Sequence, residues 1–166
     1  MATKNLYSEE GKEKIREMAE SIEFAMLITG MDTKPFHIVP MSTKKVDVDG
    51  NIWFLSHRES KNNKNIAQNA EVHLSYSNKN GLQFLTLYGM AQIVHDKDIL
   101  KELYDSTDDM WFEAKDDPNL TALKIVPKSA HYWDSKNNKL VTIFMLGMPF
   151  TFGDKKDAVD EGDINL

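Results

Sequence analysis

Short apolar runs broken by turn residues constrain this chain more than any other feature. Residues 24–29 (FAMLIT), 36–43 (FHIVPMST), 52–56 (IWFLS), 72–77 (VHLSYS), 84–94 (FLTLYGMAQIV), 120–126 (LTALKIV) and 130–133 (AHYW) each have strand length. Gly30, the Asp49-Gly50 step and the Asn78-Lys79-Asn80-Gly81 cluster stand between several of them. Strands joined by turns this tight pair antiparallel, because a parallel pair needs a crossover of about a dozen residues or more. FAMLIT reads as a strand buried on both faces, and 72–77 alternates as a half-buried strand does. Pro40 puts its strand at an edge or a bulge, and Gly89 marks a bulge or a close backbone approach inside a long central strand.

Helical spacing appears in three places. Ser8 followed by Glu9 and Glu10 opens the first, and Ile15, Met18, Ala19 and Ile22 form its apolar face. The second runs over about 60–69, and the third over 96–104, with Ile99, Leu100 and Leu103 inward. Together these signals predict a mainly β, α+β domain: a small antiparallel barrel with helical insertions rather than a doubly wound sheet. No internal repeat or linker divides the 166 residues, so a single domain is expected, with its core at about 22–134. Residues 135–166 read as a C-terminal arm, apolar over 140–152 without a clean period and open to strand or helix, followed by an acidic tail; arm and tail together would also suit docking on a second subunit.

Composition narrows the function classes. The formal net charge is −6 and no basic stripe is present, which argues against nucleic acid as a partner. There are no cysteines, so thiolate catalysis and Cys-ligated zinc are excluded. No apolar run approaches the roughly 20 residues of a membrane span, so no membrane partner is expected. The first residues carry no apolar signal region, and the default location is cytoplasmic. No two of the five histidines lie at ligand spacing, so no metal site is expected. Glycine-rich nucleotide loops and a serine nucleophile elbow are also absent.

Candidate chemistry concentrates at residues 51–66. The apolar run Ile52-Trp53-Phe54-Leu55 gives way to Ser56, His57, Arg58, Ser60, Lys61 and Lys64, and helical spacing resumes at Ile66. A strand that ends in a basic, hydroxyl-rich turn feeding a helix start is suited to an anion, because free N–H groups and the positive end of the helix dipole point outward there. The same residues would also make a solvated, capped surface helix. Trp111 and Phe112 follow an acidic stretch and either stand exposed, over a ligand or against a partner, or pack against the second core-facing helix. Tyr132-Trp133 reads as closing the barrel.

The order of these segments resembles a known group. It comprises Val39-Pro40-Met41, Trp53-Phe54-Leu55-Ser56 running into Ser60-Lys61, Val72-His73-Leu74-Ser75-Tyr76, Leu85 to Ala91, Trp111-Phe112 and Tyr132-Trp133-Asp134. Over about 22–134 it resembles the general stress protein 26 group of the pyridoxamine 5′-phosphate oxidase-like, FMN-binding split-barrel proteins. The resemblance implies a six-stranded antiparallel split β-barrel and a homodimer with FMN in two clefts at the subunit interface. It implies that Val39, Pro40 and Met41 line the flavin ring. Leu55, Ser56, His57, Ser60 and Lys61 would reach the ribityl chain and phosphate, and Trp111 would come from the partner subunit. Two positions depart from the pattern: Val39 stands where many relatives carry Arg, and Asn62 where many carry Lys. Phosphate binding then rests on Arg58, Lys61, Lys64 and the hydroxyls. The C-terminal arginine-histidine motif of true pyridoxamine phosphate oxidases is absent, which argues against pyridoxal phosphate synthesis. The resemblance implies an FMN-dependent oxidoreductase acting on an unidentified small substrate, with a stress-related role. A non-catalytic flavin-binding or sequestering protein is the alternative, and a cofactor-free dimeric barrel is a third reading. No residue is singled out as catalytic.

Overall fold

The computed structural model describes residues 2–3, 6–135 and 159–166. The apolar arm expected at 140–152 lies outside them. In chain order the elements are β1 (Ala2–Thr3), β2 (Leu6–Tyr7), α1 (Ser8–Ile22), β3 (Phe24–Thr29), β4 (His37–Ser42), β5 (Lys45–Val46), β6 (Ile52–His57) and α2 (Lys61–Gln68). There follow β7 (Glu71–Asn78), β8 (Gln83–Val94), α3 (Lys97–Leu103), a 3₁₀ turn (Ser106–Met110), β9 (Leu120–Ser135) and β10 (Val159–Asn165).

Among the described residues ten strands belong to one curled sheet, whose main path is β1-β10-β9-β8-β7-β3-β4. β9 is the hub. One edge pairs with β8 along most of its length, and the other is divided: Leu120 to Ile125 pair with β6, and Ser129 to Ser135 pair with β10. Six strands of six residues or more, β3, β4 and β6 to β9, fall within the expected barrel core. The other four are the two-residue pieces β1, β2 and β5, and the strand β10 in the acidic tail. Over 159–165 that tail lies antiparallel to β9 and carries β1 and β2 in parallel on its far edge.

The core follows from the α1 and strand patterns. Ile15, Met18 and Ala19, one face of α1, lie among Leu27, Phe54, Val72, Leu74, Leu85, Leu87 and Ile125 on the inner face of the sheet. A second cluster under α3 holds Trp53, Leu100, Leu103, Phe112, Leu120 and Ala122.

Two expectations need correction. β3 is buried on one face only: Ala25, Leu27 and Thr29 point inward, while Phe24 and Met26 are exposed. It lies next to the edge strand β4, and α1 covers only one side. The runs 120–126 and 130–133 form a single strand, because Pro127 sits where the register slips opposite Gly89, so its missing N–H interrupts no regular ladder. The slip also explains Gly89, since a Cβ there would lie 2.5 Å from the carbonyl oxygen of Val126. Pro40 lies on an edge strand, as its chemistry requires: among the described residues β4 pairs only with β3.

Candidate functional site: the first turn of α2 beside β4

β6 ends at His57, and Ser60 caps α2 by accepting the N–H of Asn63 at 3.2 Å. Behind the cap lies a closed polar network. The Ser56 hydroxyl donates to Asn63 Oδ1 at 2.8 Å, the Asn63 amide donates to Thr121 Oγ1 at 2.9 Å, and Thr121 donates to the Ser56 carbonyl at 2.9 Å. Ser60 Oγ also donates to Asn63 Oδ1 at 3.2 Å. Ser56, Asn63 and Thr121 are all buried, so Ser56 faces the protein interior and its hydroxyl is occupied there. Asn63 and Thr121 are the residues that sequence reasoning missed. The usable signal was the position of Asn63, three residues after a capping serine.

The outer side of the same turn is open. With the cap hydroxyl on Asn63, the N–H groups of Lys61 and Asn62 have no acceptor among the described residues. Lys61 is exposed and makes no ion pair among them, whereas Lys64 lies 3.5 Å from Glu59 with both side chains largely in solvent. Arg58 is turned onto the loop before β9: its N–H donates to the Asn119 carbonyl at 2.7 Å and its Nε to the Pro118 carbonyl at 3.0 Å. His57 is exposed, stacks at 6.3 Å on Phe112, and accepts the Glu59 N–H at Nδ1, which leaves Nε2 as the outward nitrogen. Leu55 is half-buried against the second cluster.

Asn62 joins this turn to β4. Its Nδ2 donates to Met41 Sδ at 3.7 Å, and its Oδ1 is buried without a hydrogen-bond partner in the described structure. Val39 and Met41 pack partly against the main core, and Pro40 is exposed. Pro40 is opposite Met26 in register, and Ile38 is opposite Ile28. Phe24 (59% exposed), Met26, Phe36 and Ile38 (49%) form an apolar strip on the opposite, outer face of β3, β4 and the loop before β4, the face that Pro40 shares.

The Trp111-Phe112 pair divides between its two readings. Phe112 is buried in the cluster under α3, while Trp111 is 76% exposed beside an equally open Met110. The 3₁₀ turn before them is pinned by Lys44, whose Nζ lies 2.6 Å from Asp105 Oδ2 and 2.8 Å from Asp108 Oδ2. Burial opposes the charge on Lys44, but the two carboxylates outweigh it and raise its pKa. The Lys44 ammonium, with help from Thr107, holds the Asp105 carboxyl down at about 2. The structure therefore brings together the α2 turn, Asn62 and Met41. Trp111 is adjacent in sequence to the Phe112 that stacks on His57, and its own indole stands open.

A protein-family model described as pyridoxamine 5′-phosphate oxidase like matches residues 10–157. The chain belongs to that family. This pyridoxamine 5′-phosphate oxidase-like chain is similar in fold to several solved structures. The general stress protein 26 of Bacillus anthracis str. Sterne is 24% identical, with 73% of this chain and 92% of that chain covered and a TM-score of 0.65. The general stress FMN/FAD binding protein of Xanthomonas citri is 24% identical, with 77% and 91% covered and a TM-score of 0.66. A general stress protein 26 homologue from Jannaschia sp. CCS1 is 18% identical over 96% of this chain and 99% of that one, with a TM-score of 0.73. At these identities the likeness establishes the split-barrel fold. No curated protein matches the chain. Among the described residues no helix is long and apolar enough to cross a membrane, and no cluster of His, Asp and Glu could hold a metal ion.

Proposed function

We propose that this chain is an FMN-binding oxidoreductase, working as a homodimer with its two flavin sites at the subunit interface and acting on a small substrate. One observation carries the reading: the open first turn of α2 meets β4 through Asn62 and Met41, so an anion site and a partly apolar wall share one corner.

The residues fit the cofactor. An FMN phosphate carries about two negative charges near neutral pH and takes several charge-assisted hydrogen bonds. The N–H groups of Lys61 and Asn62, the Lys61 ammonium and the positive end of the α2 dipole supply them, with Lys64 and Arg58 adding positive field nearby. Val39, Pro40 and Met41 offer the ring a flat edge. Ser56 and Ser60 serve indirectly, by fixing the turn through Asn63. Bound FMN supplies hydride or single-electron transfer, so the chain's part is to hold, orient and shield it.

The dimer rests on the apolar strip. Phe24, Met26, Phe36 and Ile38 form an exposed patch of the kind that marks an association surface, and a symmetric pair of copies would cover it. Because the strip adjoins Pro40, covering it would also wall the flavin corner. Trp111 fits a position across that interface, where the partner's Trp111 would close the cleft.

Titrating purified full-length protein into FMN tests the cofactor. Quenched flavin fluorescence and a bound-flavin absorbance spectrum are expected, and unquenched fluorescence would sink the reading. Oxidation of reduced nicotinamide by the loaded protein with a panel of acceptors would then separate an oxidoreductase from a flavin store.

A further inference from the structure

Asn78 ends β7 and Gln83 opens β8, paired in register across the loop 79–82. Asn80-Gly81 in that loop is the one Asn-Gly step in the sequence, and Asn80 is exposed. Such a step is the natural place for spontaneous deamidation, because the glycine presents its backbone nitrogen with no Cβ to hinder it. In that reaction the Gly81 nitrogen attacks the Asn80 side-chain carbonyl carbon while its own proton passes to water. Ammonia leaves, and water then opens the five-membered imide to aspartate or isoaspartate.

The structure opposes the first step. Asn78 Oδ1 accepts the N–H of Gly81 at 3.2 Å and that of Asn80 at 3.1 Å. A nitrogen held this way must give up its acceptor before it can lose its proton and turn toward Asn80. The Asn78 oxygen is itself aimed from behind. Asn78 Nδ2 donates to Gln83 Oε1 at 3.2 Å, Gln83 Nε2 donates to Asp134 Oδ1 at 3.0 Å, and Asp134 Oδ2 accepts from the Lys14 ammonium on α1. Lys14 and Asp134 keep only 16% and 18% of their side-chain surface exposed, so water competes little for that ion pair. The two amides close over Gly81, where a Cβ would lie 2.9 Å from Asn78 Nδ2 and 2.9 Å from Gln83 Oε1.

We propose that Asn80-Gly81 is a latent modification site guarded by Asn78, and that Lys14, Asp134 and Gln83 hold the guard in place. The product adds a negative charge to the β7–β8 turn and, as isoaspartate, one more main-chain atom. An event that pulls α1 away from the end of β9 therefore starts a slow covalent change in a hairpin it does not touch.

The full chain, kept folded at mildly alkaline pH and then digested, tests this. Conversion of Asn80 would be followed by mass spectrometry, with the urea-unfolded chain as the open reference. The folded wild type should convert at least about tenfold more slowly than the unfolded chain, the rate equivalent of roughly one hydrogen bond. Asn78→Ala should recover most of that factor. Asn78→Asp keeps an oxygen acceptor and should stay slow. Gln83→Leu leaves the Asn78 oxygen present but unaimed, and should fall between the wild type and Asn78→Ala. Amide exchange at Ala122 to Ile125 on β9 separates local release from general opening, and should stay as in the wild type. The inference is overturned if the folded wild type converts as fast as the unfolded chain, if Asn78→Ala and Asn78→Asp behave alike, or if Gln83→Leu matches the wild type. It is also overturned if conversion rises only in step with faster exchange on β9.

Discussion

Lys44 lies 2.8 Å from Asp108, and this contact ties the strand carrying Met41 to the turn that presents Trp111. Lys44 follows Met41 by three residues, and Asp108 precedes Trp111 by three, so one ammonium bridges the segment after β4 and the turn before the exposed indole.

Replacing Lys44 with Met should loosen that spacing. Asp105 is held at about 2 chiefly by Lys44, so in the variant its titration, followed by carboxyl NMR, should move up toward the ordinary range. The folded value is depressed below the unfolded one. Its stabilising contribution is therefore complete above about pH 4 and fades as the pH falls toward 2. The variant should lose that acid dependence, and the amides of residues 106–111 should exchange faster.

Asn63→Ala should cost about 2–4 kcal/mol in urea unfolding, because it strips partners from three hydroxyls, two of them buried, in one network. Ser60→Ala removes the cap and one of those bonds at the rim of the network, and should cost about 1 kcal/mol.

Two glycines should respond differently to alanine. At Gly11 the new Cβ would fall 2.5 Å from Ile164 Cγ2, a side-chain atom on β10 that can shift, so a loss of about 1–3 kcal/mol with β10 partly displaced is expected. At Gly89 the obstacle at 2.5 Å is a backbone oxygen of β9. Gly89→Ala should therefore be the more damaging, read as the larger drop in melting temperature.

Ile38→Glu tests the apolar strip. The residue is 49% exposed, so the monomer fold should keep its stability to within about 0.5 kcal/mol. Sedimentation should shift from dimer to monomer, and FMN affinity should fall with it. An unchanged dimer would remove the strip from the interface.

Local signals were legible in the sequence. The period of α1, the Ser60 cap, the Asp-Gly turn before β6 and the burden on Gly89 all arise within a few residues of one another. The inward turn of Ser56 was not legible, because its partner Thr121 lies 65 residues away. The pairing of the acidic tail with β9 was hidden for the same reason. Phe24 and Met26 misled differently: within an unbroken apolar run, a residue left exposed looks the same in sequence as one buried inside. For the site, the strand–turn–helix frame could be read from residue types alone. Which amide on α2 would be left bare depended on how the helix sits against β4.

Along both of its halves β9 has a hydrogen-bonded neighbour on either side, β6 then β10 on one edge and β8 on the other. The sheet's end strands can fray without touching it, and the departure of one neighbour frees only the amides bonded on that side. Backbone deuterium should therefore reach the amides of Ala122 to Ile125, flanked by β8 and β6, later than those around the slip at Pro127, so one strand would carry both a protected and an early-opening segment.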